Sequence, residues 1–94
     1  MTEFAERVFE IAKQIGTDYN FKVEVRDHEH YTEVKFESAC GLTRTLSFGH
    51  MLDLSRVEYH LEIAAEVLDN KEADMLVTQW LEAKKWKYIK QHEK

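Results

Sequence analysis

Residues 53–70, with the sequence DLSRVEYHLEIAAEVLDN, decide how the rest of the chain is interpreted because they predict a central helix. Ser55 and Glu58 have capping-box spacing, which predicts that this helix begins at Arg56. Two apolar rows then follow the helical period on opposite sides: Val57, Leu61, Ala64, Ala65 and Leu68, and Tyr59, Ile63 and Val67. A helix that is apolar on two faces is usually covered on both, so we expect it to lie between a sheet and another helix.

The sequence before this helix changes once from the apolar spacing of a helix to the alternation of strands. Residues 2–16 have the apolar spacing of an amphipathic helix, and Gly16 is a natural end for it. Residues 20–48 alternate between apolar and polar side chains, which predicts three strands. The first turn is a polar tip at residues 27–30, and the second lies at residues 39–41, where Gly41 is free to take a positive φ. One apolar and one charged face are typical of an antiparallel sheet with one wet side.

The segment after residue 68 predicts a third helix. Asp69 and Glu72 repeat the capping-box spacing, so we expect the central helix to end and a third helix to begin there. This third helix would place Val77, Trp80 and Leu81 in the core. The predicted fold is α+β, with the order α-β-β-β-α-α and a three-stranded antiparallel meander that carries the helices on one face. We expect residues 1–94 to form a single compact domain, with residues 84–94 as a loosely ordered basic tail.

The charge of the chain is uneven. The 94 residues carry a formal net charge of −5. Residues 83–94 contain five lysines and one glutamate, giving +4, so the remainder carries −9. An acidic body repels nucleic acid and favours basic partners.

The single cysteine, Cys40, excludes an internal disulfide. The chain has no apolar run long enough for a membrane span and no signal-peptide pattern, so we expect a cytoplasmic protein without a membrane partner.

The candidate partner-binding residues are carboxylates on the predicted central helix and on the charged sheet face. They are Glu58, Glu62, Glu66 and Asp69, and Glu24, Glu33 and Glu37. We expect a small, non-catalytic protein-binding module of the phage- or plasmid-type inhibitor or regulator class, which uses this acidic surface to occupy a basic site on another protein. The order of one helix, a three-stranded sheet and paired helices is similar to that of some small anti-CRISPR proteins, and this topological resemblance implies an inhibitor.

Two alternatives involve the C-terminal segment. Nucleic-acid contact is the first, because basic and aromatic residues alternate there, as in sites that bind phosphates and stack on bases. These residues are Lys84, Lys85, Trp86, Lys87, Tyr88 and Lys90. The α-β-β-β-α order resembles that of double-stranded-RNA-binding domains, which carry a basic patch at their last helix. The second alternative is a self-associating structural or assembly protein, monomer or homodimer, that pairs through Met75, Gln79 and Trp86.

Other chemistry-bearing residues do not form a recognisable constellation. His28 and His30 are the metal-ligand candidates, but zinc requires further ligands and the sequence has no second cluster. Cys40 lacks a neighbouring base in the sequence, so we interpret it as a bystander thiol. We therefore predict no catalytic residue, no metal and no cofactor.

Overall fold

The computed structural model describes the backbone of residues 1–92 and the side chains of residues 1–84. The chain forms α1 (Glu3–Tyr19), β1 (Lys22–Asp27), β2 (Tyr31–Glu37), β3 (Thr43–Gly49) and α2 (Leu54–His92). The strands make one antiparallel sheet in the order β1-β2-β3. The predicted α+β class and the meander with helices on one face are confirmed. The described chain has two helices, however, where three were predicted.

Helix α1 begins as predicted but ends later. The Thr2 hydroxyl accepts a hydrogen bond from the Ala5 backbone N–H at 3.1 Å and caps the start. The predicted stop at Gly16 is wrong, because the helix continues to Tyr19 and ends at Asn20, which takes the left-handed conformation with φ 60°. Gly16 instead lies buried where α1 crosses β1, and a Cβ there would overlap the Cγ2 atom of Val23. The glycine is needed for close packing rather than for a turn.

Helix α2 begins two residues before the predicted start. Arg56 and Val57 donate their backbone N–H groups to the Asp53 carbonyl, and the Asp53 carboxylate accepts from the Ser55 N–H at 3.2 Å. Asp53 thus takes the capping role predicted for Ser55. Both turns lie where they were predicted. The His28 N–H donates to the Tyr31 carbonyl in the first, and Gly41 takes φ 84° in the second.

The predicted break at residues 69–72 is wrong, because α2 runs without interruption over 39 residues. No proline or glycine lies between Leu54 and His92, so every backbone N–H in the interior of the helix remains available for its i−4 bond. Asp69, which is exposed, and Glu72, which is half-buried, have capping-box spacing, but such polar residues also occur inside helices. The order of elements is therefore α-β-β-β-α.

The core lies between the sheet and the two helices. In α1, Val8 and Ala12 are fully buried, and in β2, Val34 and Phe36 are fully buried. The predicted inner row of α2 is confirmed: its members are between 0% and 2% exposed, and they are Val57, Leu61, Ala64, Ala65 and Leu68. The apolar residues that the sequence periods assigned to the inner face of the sheet and to the inner side of α2 are thus the ones that form the core.

The outer row of α2 is exposed, contrary to the prediction that α2 is covered on both sides. Tyr59, Ile63 and Val67 are 61%, 41% and 36% exposed. Their exposure follows from the unbroken helix, because no third helix folds back over them within the described residues. The placement of Val77, Trp80 and Leu81 in the core is wrong for the same reason: they are 56%, 59% and 53% exposed.

The protein is elongated because α2 extends beyond the sheet. Its principal extents are 66 × 20 × 17 Å, and a 39-residue helix is about 58 Å long. Among the described side chains of α2, the last buried one is Leu68, and those from 76 to 84 are all exposed. The buried core of the described residues therefore lies between Ala5 and Leu68, and the single compact domain predicted over residues 1–94 stays a prediction. The predicted loose tail at 84–94 concerns side chains outside the described residues and stays a prediction.

Candidate functional site

The predicted acidic surface is divided between two sides of the protein. Glu58, Glu62, Glu66 and Asp69 lie exposed on α2. Glu24, Glu33 and Glu37 lie on the outer face of the sheet, because their strand neighbours turn inward toward the helices. Since α2 packs against the inner face, the two groups of carboxylates do not form one continuous surface.

The outer sheet face pairs each of its carboxylates with a basic residue. The β1–β2 register places Lys22 opposite Glu37, Glu24 opposite Lys35 and Arg26 opposite Glu33. Arg26 also contacts Glu24 at 2.9 Å. Opposite charges directly across two strands stabilise the pair by roughly 0.2–1 kcal/mol each. These carboxylates are therefore largely balanced by their neighbours on the sheet.

The carboxylates of α2 lie in a different setting, beside α1. Glu58 and Glu62 line an open groove of about 450 Å³ between the helices, together with Glu10 and Asp18 of α1. We call this the acidic groove. Ile11, Gln14 and Ile15 complete its lining, and Gln14 donates its side-chain amide to Asp18 at 3.3 Å.

The acidic groove combines an apolar floor with charged walls. Ile11 is half-buried and Ile15 is 6% exposed, so an apolar strip lies beneath the carboxylates. No lysine or arginine is among the seven residues that line the groove. Glu66 and Asp69, which were predicted as part of the same surface, lie further along α2 and do not line the groove. Glu10 and Asp18 were missed because only the tertiary contact between the helices joins them to Glu58 and Glu62.

The basic and aromatic segment is described only at its beginning. The Lys84 ammonium lies 4.8 Å from the centroid of the Trp80 ring, a cation–π contact within one helical turn. The other predicted nucleic-acid contacts, Lys85, Trp86, Lys87, Tyr88 and Lys90, have side chains outside the described residues. Nucleic-acid binding through this segment therefore stays a prediction.

The histidines of the β1–β2 tip engage different neighbours. His28 stacks on Tyr31 with ring centroids 4.4 Å apart and lies 3.8 Å from Glu33. His30 is 85% exposed and lies 3.8 Å from Glu29. Across the residues that the structure describes, no three His, Cys, Asp or Glu side chains are grouped as metal ligands would be. Cys40 is exposed in the β2–β3 turn.

Asp27 forms a polar cluster that the sequence pattern did not reveal. Its carboxylate accepts hydrogen bonds from the Thr2 backbone N–H at 2.8 Å and from the Thr32 hydroxyl at 3.1 Å. Its Oδ1 atom also lies 2.9 Å from Nε2 of His50, whose ring packs against Phe4. Asp27 thereby joins the start of α1, the start of β2 and the junction between β3 and α2. We interpret the cluster as structural.

These contacts make the carboxylate of Asp27 more acidic. The Thr2 N–H is the largest cause, opposed by partial burial and assisted by the side chains of Thr2, His50 and Thr32, and together they lower the pKa of Asp27 from 3.8 to about 2. Because folding lowers this pKa, the contribution of Asp27 to stability is fully present above about pH 4 and is lost as the pH falls through 2.

Asp27→Asn is therefore expected to lower Tm at pH 7. The variant is also expected to lose less Tm than the wild type when the pH falls from 4 to 2. Thermal unfolding across this pH range measures both effects. Asp69→Asn is the matched control, because Asp69 is exposed and makes none of these contacts. If Asp27→Asn lost as much Tm as the wild type between pH 4 and pH 2, the structural role of the cluster would be contradicted.

Comparison with known proteins identifies no relative. No protein-family model matches this chain, and no curated protein or solved structure matches it. Among the described residues, no helix combines the length and apolar character needed to cross a membrane.

Proposed function

We propose that this protein is a non-catalytic binding module that receives a basic segment of another protein in the acidic groove between α1 and α2. The observation that carries the proposal is the convergence of Glu10, Asp18, Glu58 and Glu62 around an apolar strip. Two of these carboxylates come from each helix, so the charge is concentrated by tertiary packing.

The chemistry of the groove favours an amphipathic segment with basic residues at its margins. Apolar side chains of such a segment would contact Ile11 and Ile15, and its lysines or arginines would face the four carboxylates. Charge complementarity of this kind mainly raises the association rate and selects the partner. Because the segment would be covered while bound, binding would inhibit or regulate whatever else that segment does.

The groove is also expected to be a region of like-charge repulsion in the free protein. Carboxylates that share a small open groove repel one another, and the repulsion is screened by salt. A functional site commonly carries such a local cost, whereas selection for stability alone favours opposite charges, as on the outer sheet face.

Reversing two charges in the groove is expected to abolish partner binding without loss of stability. In Glu58→Lys/Glu62→Lys, two repulsive contacts to the partner replace two attractive ones, while Glu10 and Asp18 gain opposite charges nearby. We therefore expect at least a roughly tenfold loss of affinity and an unchanged or higher Tm.

The measurement is affinity capture from nuclease-treated lysate of the source cell, with the wild type, the groove variant and a control of equal charge change. Glu29→Lys/Glu82→Lys is the matched control, because both glutamates are exposed and lie outside the groove. The expected result is a protein recovered by the wild type and the control but not by the groove variant. Recovery of the same proteins by all three forms would refute the acidic groove as the binding site.

A further inference from the structure

The exposed side of α2 carries a row of residues with coiled-coil spacing. Starting at residue 63, the row advances by four, three, four, three and four residues through Ile63, Val67, Asn70, Asp74, Val77 and Leu81. We call this the outer stripe. It runs over 19 residues, and the 18 steps from Ile63 to Leu81 correspond to five turns and about 27 Å of helix. Spacing of this kind keeps one seam of a helix facing a partner helix.

The outer stripe is open to solvent along its whole length. Its four apolar side chains, Ile63, Val67, Val77 and Leu81, are between 36% and 56% exposed. The sheet and α1 contact the opposite side of α2, where Leu61 and Leu68 are buried. Within the part of the chain that is described, no element packs on the stripe.

We infer that the outer stripe is the contact surface with a second copy of this chain, and that the two α2 helices pair antiparallel. A twofold interface requires that each residue faces a complementary residue in a reciprocal manner. The outer stripe satisfies this condition about Glu72, because its members are placed at equal distances on either side of that residue. Ile63 then faces Leu81 of the second copy, and Val67 faces Val77 of the second copy.

The polar residues in the middle of the stripe favour the antiparallel orientation. In that orientation Asn70 faces Asp74 of the second copy, so that its amide N–H can donate to a carboxylate, and symmetry produces this contact twice. In a parallel pair, Asp74 would instead face Asp74 of the second copy, and like charges in contact are destabilising. A polar residue within such a seam commonly sets orientation and register.

The charge distribution along α2 favours the same orientation. Residues 54–74 contain six acidic and two basic residues, whereas residues 75–92 contain four lysines and one glutamate. The first part of the helix thus carries −4 and the second part +3. Antiparallel pairing brings each acidic part beside the basic part of the second copy, and parallel pairing would bring like charges together.

The outer stripe lies on a different side of α2 from the acidic groove, so dimerisation and binding of a basic segment can be tested separately. None of the stripe residues lines the groove. A seam of five turns with four apolar residues per copy is near the lower size limit of specific interfaces, roughly 1,000 Å², so we expect a dissociation constant in the micromolar range.

Sedimentation equilibrium of the full chain, up to about 500 µM, tests the interface. We expect a reversible monomer–dimer equilibrium that Val77→Gln/Leu81→Gln weakens at least roughly tenfold, with an unchanged circular dichroism spectrum. Leu76→Gln is the matched control: Leu76 is adjacent and 47% exposed but lies outside the stripe, so we expect dimerisation within about twofold of the wild type. A monomeric wild type at the highest concentration, or a double variant that dimerises like the wild type, would overturn the inference.

Cysteine cross-linking in a Cys40→Ser background tests the orientation. A mixture of Ile63→Cys and Leu81→Cys chains is expected to form an intermolecular disulfide, because the two positions face each other in the antiparallel pair. Each variant alone is expected to remain uncross-linked. Efficient cross-linking of either variant alone, without cross-linking between the two, would establish the parallel pair and refute the antiparallel one.

Discussion

Leu61→Ala is expected to lower the free energy of unfolding by about 3 kcal/mol. Leu61 is fully buried in the core between α2, α1 and the sheet. The substitution removes apolar contacts and leaves a cavity that the close-packed core fills only in part. In a domain with a total stability of roughly 5–15 kcal/mol, a loss of this size is a large fraction.

The same substitution at Leu76 provides the control, because it lies on the same helix but on the exposed part. Leu76 is 47% exposed, so Leu76→Ala is expected to cost less than about 1 kcal/mol. Urea unfolding followed by circular dichroism measures both values at a protein concentration below that needed for dimerisation. Equal losses in the two variants would mean that the last part of α2 is packed in a core, in conflict with the structure.

Gly16→Ala is expected to destabilise the protein by about 1–2 kcal/mol, although the same change usually stabilises a helix. In an exposed helix interior, alanine is favoured over glycine by up to about 1 kcal/mol. At Gly16 the new Cβ would overlap Cγ2 of Val23 and lie 3.3 Å from the Phe21 carbonyl oxygen, so β1 would have to move away from α1. Overpacking of this kind costs roughly 1–3 kcal/mol.

Gly49→Ala is the matched control for Gly16→Ala. Beyond Gly49 and its two chain neighbours, no heavy atom lies within 4 Å of a Cβ placed there, so the free energy of unfolding of Gly49→Ala is expected to differ from that of the wild type by less than about 0.5 kcal/mol. Thermal and urea unfolding of the two variants measure the difference. A Gly16→Ala variant that is more stable than the wild type would show that the helix and the strand do not approach each other this closely.

The local elements could be predicted from the sequence because each depends on a local period. The alternation of Val23 and Val25 with charged residues located β1, and the spacing of Val57, Leu61 and Leu68 located the inner side of α2. Gly16 could not be interpreted in this way. A glycine that ends a helix and a glycine that admits a neighbouring strand look alike until the strand is placed.

The course of α2 was predicted wrongly because the capping-box pattern at Asp69 and Glu72 was given more weight than the missing helix breakers. Capping-box spacing occurs by chance inside helices, whereas a chain reversal usually needs residues that tolerate non-helical backbone. The absence of proline and glycine from Leu54 to His92 was the signal for an unbroken helix. Once the break was assumed, Val77, Trp80 and Leu81 were assigned to a core that does not exist.

The candidate sites depend on tertiary structure in different degrees. Glu58 and Glu62 were found from their helical spacing, but the acidic groove also needs Glu10 and Asp18, which lie about 45 residues earlier in the chain. The outer stripe is present in the sequence, yet its exposure follows only from the unbroken helix. The Met75, Gln79 and Trp86 surface predicted for self-association stays a prediction: Met75 is half-buried, Gln79 is exposed, and the Trp86 side chain lies outside the described residues.

The most direct test of this account is the length of α2 in solution, because the exposed outer stripe depends on an unbroken helix. Spin labels at Glu62→Cys and Lys84→Cys in a Cys40→Ser background, diluted with unlabelled protein, report the intramolecular distance by pulsed electron paramagnetic resonance. A continuous helix separates the two backbone positions by about 33 Å, and this is the distance we expect. A distance of roughly 15–20 Å would mean that the chain reverses near residues 69–72 and packs against itself, and would contradict both the unbroken helix and the pairing proposed for it.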